Sequence, residues 1–385
     1  MKGLDVLKGV KIVEQGTFIT GPCAGIMLAD LGADVIKIES PDGDPYRAYQ
    51  GGNYSPHFQA YNRNKRSLAL DMKQPADRAI FDTLIAEADV FIQNFRPGTA
   101  ERLGAGARRL QELNPKLVYC SISGFGGDGP YVDRPSYDSV AQALSGFLSV
   151  VVDESRPRFL GPALADAITG IYASYGVLGA LFDRGRSGRG RVVEVSMLEA
   201  MAHFAVEPYA AYFALGTVPR SGDRPRLAQA HILRTGDGGF IAIHLSSLEK
   251  FWTGLVAALQ APQLASDPRF ATRLARIDNY DALGAELDQL FSAHPTQHWV
   301  ERLGAADVPY APINRVDAAV QDPQVQHLGL MVPVQQPHAA TQAVRPAVQF
   351  DGQRATAVRP APLLGEHSEA IRASLAASTA WPAQD

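Results

Sequence analysis

VKIVEQGTFITGPCAGIMLADLGADVIKIE, Val10–Glu39, decides the architecture. Val10–Glu14 is short and β-branched, as a buried strand requires. Gly21–Leu31 carries apolar residues at helical spacing, and Asp34–Glu39 is a second strand. The same order returns with the strand Ser67–Asp71, the helix Pro75–Ala88 and the strand Val90–Gln93. Two short helices, Thr99–Leu103 and Ala107–Leu113, then lead to a strand at Leu117–Ser123. Strands alternating with helices give an α/β fold, a parallel sheet wrapped by helices. Such a sheet binds its ligands at the carboxyl ends of the strands.

Further along, Gly161–Arg184 reads as a long helix, or a helix preceded by a turn, and Arg191–Ser196 as a strand followed by another helix. Gly216–Ala230, rich in Gly, Pro and Arg, reads as a linker or mobile loop. From Ile232 a second pattern starts: a hairpin around Thr235–Gly239, then helices from Leu248 to Leu303. Val308–Val316 carries two prolines and turns back toward the first domain, and one more amphipathic helix is expected near Ser368–Leu375. The expected organisation is therefore a large domain begun by residues 1–200, a linker at 201–230, a small domain at 231–307, and a return to the large domain over 308–385.

A chain of 385 residues, 46% apolar and 20% charged, has ample material for a core and for two or three domains. Its net charge of −4 gives no overall basic excess for a nucleic-acid partner. The two cysteines, Cys23 and Cys120, exclude a disulfide framework and a four-cysteine zinc site. His294 and His298 are separated by a stretch containing Pro295 and lack a third ligand, so no metal is expected. The N-terminal segment has charges inside its apolar run, unlike a signal peptide. The apolar stretches near Ile171–Phe182 and Ala143–Val152 are too short to span a bilayer. A cytoplasmic protein without a membrane partner is the expectation.

Several motifs bear on chemistry. GFGGDG, Gly124–Gly129, matches a dinucleotide fingerprint in spacing, but Pro130 follows at once and no helix of the required kind can open there; a glycine-rich turn near a ligand fits better. No serine sits in a G-x-S-x-G elbow. Arg63, Lys65 and Arg66, and again Arg96 and Arg102, fall at or near the ends of strands, which points to a phosphorylated small molecule. In GPALADAITGIYASYGVLGALF, Gly161–Phe182, a lone acid, Asp166, stands among small and apolar residues. It is either a helix cap or a catalytic carboxylate held where water is scarce.

Five ordered stretches carry a resemblance: GPCAGIMLADLGADVIKIE, NRNKRSLALDMK, ADVFIQNFRPGTAERLG, SISGFGGDGPYVDRPSYDSVAQALSG and APLLGEHSEAI. Together they resemble the class III CoA-transferases of the formyl-CoA transferase and carnitine CoA-transferase (CaiB/BaiF) type, a group that also contains α-methylacyl-CoA racemase. The resemblance runs from about Leu7 to Ile371. It implies a Rossmann-like large domain made from both chain ends, a smaller inserted α+β domain, and two chains interlocked as rings in a homodimer. It also implies that coenzyme A and acyl-CoA are substrates, with no tightly bound cofactor.

In that family an aspartate at the position of Asp166 is the nucleophile. It attacks the acyl-CoA thioester to form a mixed anhydride and then an aspartyl-CoA thioester, from which CoA passes to an acceptor acid. The racemase branch has His-Asp where this chain has Tyr137-Asp138, and tyrosine is a poor proton shuttle at neutral pH. The resemblance thus assigns Tyr137 and Asp138 to the substrate pocket and makes racemisation, or CoA transfer within one molecule, the alternative. It places Leu70 and Lys73 near the adenine, Asn94 and Arg102 near the nucleotide phosphates, and the turn holding Thr17, Ile19 and Thr20 along the CoA. Two departures stand out. Phe18-Ile19-Thr20 fills a turn that often carries glutamine or arginine, and Gly216–His231 lacks the glycine run of the oxalate-type enzymes. Arg220, Arg224, Arg226 and Gln229 stand there instead, which points to a larger carboxylate or dicarboxylate held at its distal end.

Overall fold

The structure, a computed structural model, describes residues 4–383 except 160, 247, 336–339, 357 and 379. Two compact units divide the chain. The larger comprises Met1–Leu148, Phe159–Tyr209 and Gln326–Asp385, and the smaller Ser149–Arg158 and Ala210–Val325.

The larger unit is built on a sheet of six strands: β1 (Lys11–Gln15), β2 (Asp34–Glu39), β3 (Lys65–Ala69), β4 (Val90–Gln93), β5 (Val118–Ser123) and β6 (Val192–Ser196). All neighbours are parallel, in the order β3-β2-β1-β4-β5-β6. The order reverses between β1 and β4, which pair from Ile12↔Val90 to Gln15↔Gln93. The connecting helices are α1 (Thr20–Asp30), α2 (Pro56–Asn62), α3 (Pro75–Glu87), α4 (Thr99–Arg102), α5 (Ala107–Leu113), α6 (Asp138–Leu144), α7 (Leu164–Ser187) and α8 (Met197–Phe204). Side chains alternate across each strand, so the sheet has two buried faces. Ile12, Val35, Val90, Ile92, Val118 and Cys120 pack in one layer with Ala24 and Leu28 of α1 and Ala173 and Val177 of α7. Val13, Ile36, Phe91 and Tyr119 pack in the other with Phe81 and Leu84 of α3, and with Ile371 from the far end of the chain.

That far end supplies a helix and much of an edge. After α9 (Val206–Leu215), the smaller unit runs through α10 (Asp223–Ala228), β7 (Ala230–Arg234), β8 (Phe240–His244), α11 (Glu249–Leu259), α12 (Pro262–Ser266), α13 (Arg273–Asp278), α14 (Tyr280–Phe291), α15 (Thr296–Ala305), β9 (Tyr310–Pro312) and α16 (Val316–Ala319). The strands β7, β8 and β9 form an antiparallel sheet over a core containing Trp252, Leu255, Phe291 and Trp299. The chain continues through α17 (Pro323–Leu328) and the antiparallel pair β10 (Met331–Gln335) and β11 (Ala340–Val344) to α18 (Ser368–Ala377). The last segment is fastened to β3 and β2. Ala69 N–H donates to Ser368 Oγ (3.0 Å), Arg66 donates to the carbonyls of Pro382 and Ala383, and Trp381 Nε1 donates to Asp34 Oδ2 (2.7 Å). A sheet edge is thereby covered by protein rather than left open to a foreign strand.

Three expectations change. Residues 201–230, read as a linker, hold the end of α8 together with α9 and α10. Within the segment read as a loop, Gly222 at φ 91 opens α10, and Arg226 reaches Asp281 at 2.9 Å. The helix α7 has 24 residues and is, by length and composition, apolar enough to cross a membrane, although its apolar runs looked too short in the sequence. Its many Gly, Ala and Ser residues break up the hydrophobic run, but they let it lie close against α1. A Cβ on Gly170 would come within 2.5 Å of Cys23 Cβ.

Candidate active site

A cavity of about 730 Å³ opens at the β1/β4 switch point, where a doubly wound sheet takes its ligands. One wall is the turn after β1, Thr17 to Thr20; the next is Asn94 to Arg96 after β4. Gly124 to Gly126 follow β5, and Tyr137, Asp138 and Asp166 close the far side. The glycine-rich GFGGDG segment is a turn with Gly126 at φ 110, and no helix follows it directly.

Asn94 organises the first wall. Its Oδ1 accepts from Thr17 N–H (2.9 Å), and its Nδ2 donates to Thr17 O and Thr20 Oγ1, both at 2.8 Å. Both amide protons are therefore used by the turn. The Asn94 side chain, expected near the nucleotide phosphates, lines the cavity with its amide spent on the turn from Thr17 to Thr20.

The far side separates two carboxylates. Ala163 is the N-cap of α7 and supplies no capping side chain. Asp138 does so from α6: Oδ1 accepts from Ala165 N–H at 2.7 Å and more weakly from Asp166 N–H at 3.4 Å, while Oδ2 accepts from Gln142 Nε2 (2.7 Å). The capping role that the sequence left open for Asp166 thus belongs to Asp138. Asp166, in the first turn of α7, accepts no hydrogen bond on its carboxylate from any described residue and lines the cavity. Burial, and then the charge of Asp138, push its carboxyl up to about 7. Tyr137, 63% exposed, stands edge-on to Phe18 with ring centroids 6.3 Å apart. The Cys23 thiol is buried and pushed up to about 11, chiefly by desolvation, and it contacts Ala167 O at 3.7 Å.

The family model for CoA-transferase family III matches residues 7–368. The chain belongs to that family. It is 35% identical to a succinate–glutarate CoA-transferase of Agrobacterium fabrum over 96% of this chain and 95% of the relative. It is 34% identical to an acetyl-CoA:oxalate CoA-transferase of Acetobacter aceti, over 97% and 96% of the two chains. A crystal structure of a CaiB/BaiF family protein from Brucella suis superposes with a TM-score of 0.87 at 34% identity, covering 97% of this chain and all of the other. The chain is accordingly an enzyme of the acyl-CoA:carboxylate CoA-transferase class.

In this family III CoA-transferase the sequence-assigned residues divide. Thr17, Ile19, Thr20, Asn94, Tyr137, Asp138 and Asp166 share the cavity wall. Leu70, Lys73 and Arg102 are not on it. Leu70 is 1% exposed and packs in the core beneath α3. Lys73 is on the surface beyond the end of β3, a strand separated from β1 by β2. Arg102 donates to Thr99 Oγ1 (2.7 Å) at the exposed end of α4.

The basic cluster Arg63–Arg66 is neutralised. Arg63 pairs with Asp30 (2.5 Å), Arg66 with Asp34 (2.6 Å) and Lys65 with Glu14 (2.6 Å), and Lys65 and Arg66 begin β3 instead of ending it. In the smaller unit Arg226 pairs with Asp281, while Gln229 accepts from Arg276 (2.7 Å) and donates to Ser246 O. The cations that do line the cavity are Arg96 and Arg134. Arg134 lies over the Tyr131 ring at 4.5 Å, and neither arginine pairs with an acid among the described residues. Arg96 was visible in the sequence as part of a basic motif; nothing local in VDRPSY singled out Arg134.

Proposed function

We propose that the chain transfers CoA from an acyl-CoA donor to a dicarboxylic acid through covalent intermediates on Asp166. The observation that carries the reading is a carboxylate without hydrogen-bond donors, raised to about 7, on the wall of the switch-point cavity. A poorly solvated carboxylate is a better nucleophile than a hydrated one, and water must be kept from an anhydride.

The chemistry balances without a proton. An Asp166 oxygen attacks the thioester carbonyl, the C–S bond breaks, and CoA thiolate leaves a mixed anhydride. The thiolate then attacks the Asp166 carbonyl carbon and expels the donor acid. The acceptor carboxylate attacks the resulting aspartyl-CoA thioester, freeing the thiolate again. Attack of the thiolate on the acceptor carbonyl returns the Asp166 carboxylate and yields the new acyl-CoA. No step needs a general base, in keeping with a cavity whose described lining contains no histidine.

Two features support a dicarboxylic acceptor. Arg96 and Arg134 leave positive charge on the wall for a second carboxylate. The relatives named above act on succinate and glutarate, or on oxalate. CoA's nucleotide would then run from the cavity toward the carboxyl ends of β2 and β3, past Lys73. Racemisation is less well supported, while transfer within one molecule would use the same Asp166. Racemisation asks for a base on each face of the α-carbon, and Asp138 is engaged with α7 and Gln142.

We further propose that the chain works in the cytoplasm as a homodimer. An outer stripe of α7, Ile171, Tyr175, Leu178 and Phe182, is exposed and available to a second copy. Sedimentation at nanomolar concentration is expected to give twice the 41.4 kDa chain mass. The test of the chemistry is to incubate the enzyme with an acyl-CoA and hydroxylamine. A hydroxamate at Asp166, found by peptide mass spectrometry, is expected, and its absence with active enzyme rules the intermediate out. A screen of acceptor acids of increasing chain length identifies the second substrate.

A further inference from the structure

Phe18 is an outlier. Seven described non-glycine residues have a positive φ; six are Asn, Gln, Ser or Asp, and the seventh is Phe18 at φ 58. A residue with a Cβ is strained in the left-handed region. Strain of this kind persists where surrounding groups over-determine the backbone, and it gathers at functional sites.

The surrounding groups are four charged side chains closed to solvent: Glu14, Lys37, Asp44 and Lys65. Lys37 Nζ donates to Gly16 O at 2.6 Å, and pairs with Glu14 Oε1 at 3.1 Å and Asp44 Oδ2 at 3.0 Å. Asp44 Oδ1 accepts from Phe18 N–H at 3.1 Å and Tyr46 N–H at 2.9 Å. Lys65 Nζ bridges Glu14 Oε2 (2.6 Å) to the carbonyl of Pro22 (2.9 Å) in the first turn of α1. Lys37 thus grips the turn before Thr17 and Asp44 grips it after, while Asn94 holds Thr17 itself. A second buried pair backs Asp44. Its own N–H donates to Glu39 Oε2 (3.1 Å), and Glu39 accepts two bonds from Arg47, each 2.7 Å.

Two positive and two negative groups cancel, yet in proteins generally a buried charge network is often replaced by apolar side chains of similar volume with no loss of stability. Apolar side chains could not hold the Gly16 carbonyl and the Phe18 N–H in fixed positions. Thr17 to Thr20 and Phe18 line the cavity of Asp166, and the Phe18 ring meets both Tyr46 (5.8 Å) and Tyr137. We propose that Lys37 and Asp44 are positioning residues for acyl transfer: they clamp the backbone of the Gly16–Phe18 turn in its strained conformation and so set the start of α1 against the reacting thioester. The proposal rests on Asp166 as nucleophile, since its effect is exerted on that attack.

The experiment measures acylation of Asp166 in a single turnover, with hydroxylamine trapping, alongside the donor's dissociation constant. Asp44→Ala and Lys37→Met should each slow acylation on the order of 10- to 100-fold, while donor affinity changes by less than about threefold. Adding Phe18→Gly to Asp44→Ala should recover part of the lost rate, because glycine enters the left-handed region without strain. Asp44→Asn, which keeps an oxygen for the two N–H groups, should fall between Asp44→Ala and wild type. If Asp44→Ala does not fold, Asp44→Asn with and without Phe18→Gly is read in the same way. Unchanged acylation in the Asp44 variants, or a loss that Phe18→Gly deepens or leaves alone, overturns the positioning role while wild-type trapping still stands. A wild type that forms no Asp166 hydroxamate overturns the nucleophile first, and the positioning role with it.

Discussion

Two helices, α1 and α7, begin on the same cavity and are finished in opposite ways. The turn entering α1 has its polar backbone groups held from Gly16 to Phe18 by Lys37, Asn94 and Asp44. The start of α7 spends one carboxylate, Asp138, on its N–H groups and leaves the next, Asp166, without a donor. The first end is fixed in geometry by three side chains; the second leaves a carboxylate with incomplete hydrogen bonding, the group proposed above as the nucleophile. The lesson is general: the acid to suspect in a site is the one whose neighbours decline to satisfy it.

The comparison breaks most completely at Asp166. Asp166→Ala, Asp166→Asn and Asp166→Ser should each lower exchange on the order of 10⁴-fold or more, as loss of a covalent nucleophile does. CoA binding and the fold should survive. Exchange by the alanine variant within tenfold of wild type would show the contrast between the two helix starts to be irrelevant to catalysis. Next in size is Arg134→Met, which tests the acceptor. Loss of a charge-assisted bond to a distal carboxylate costs about 1–3 kcal/mol. The KM for a dicarboxylic acceptor should therefore rise roughly 5- to 150-fold, with a monocarboxylate of the same length little affected. Equal effects on both acids would assign the arginine elsewhere.

Two pH measurements sharpen the contrast. Asp166 takes up its proton more readily in the folded chain than in the unfolded one, because burial and then the Asp138 charge raise its carboxyl from the ordinary range near 4 to about 7. Between about pH 4 and 7 the folded state therefore binds more protons, and this group's contribution to stability falls as pH rises. Asp166→Asn should be more stable than wild type at pH 8, by roughly 1–3 kcal/mol after allowance for its partial exposure. The difference should shrink toward nothing near pH 4, which thermal melts across that range would follow. The nucleophile must be ionised, so acylation should rise with pH to a plateau, with a midpoint near the same value. Asp138→Asn keeps the cap on Ala165 and removes the charge, so the midpoint should move down by up to about one unit, the smallest of these effects. An unmoved midpoint would leave burial as the sole cause.

Much of the fold was legible because short β-branched runs alternate with helical patterns, the rhythm of a parallel α/β sheet. Asp34–Glu39 and Val90–Gln93 appear in the structure with the bounds read from the sequence. Asp166 was legible as a charge out of keeping with its neighbours. What could not be read was pairing. Arg63, Lys65 and Arg66 look like a phosphate-binding cluster until Asp30, Asp34 and Glu14 arrive from other elements to neutralise them. The same is true of Asn94, whose donors are consumed by a turn lying 77 and 74 residues away in sequence.

The covered edge of β3 has a consequence for the order in which the molecule can be made. Bonds from Ser67 N–H to His367 and from Trp381 to Asp34 join partners 300 and 347 residues apart. At about 5–20 residues per second of synthesis, an emerging β3 waits roughly 15–60 s for the segment that closes it. Throughout that interval Ile36, Leu68 and Phe81 lack the cover of Ile371. A ribosome that stalls or terminates early in the last few dozen codons thus releases a chain with nearly all its secondary structure and an open, sticky sheet edge, an appropriate client for a chaperone.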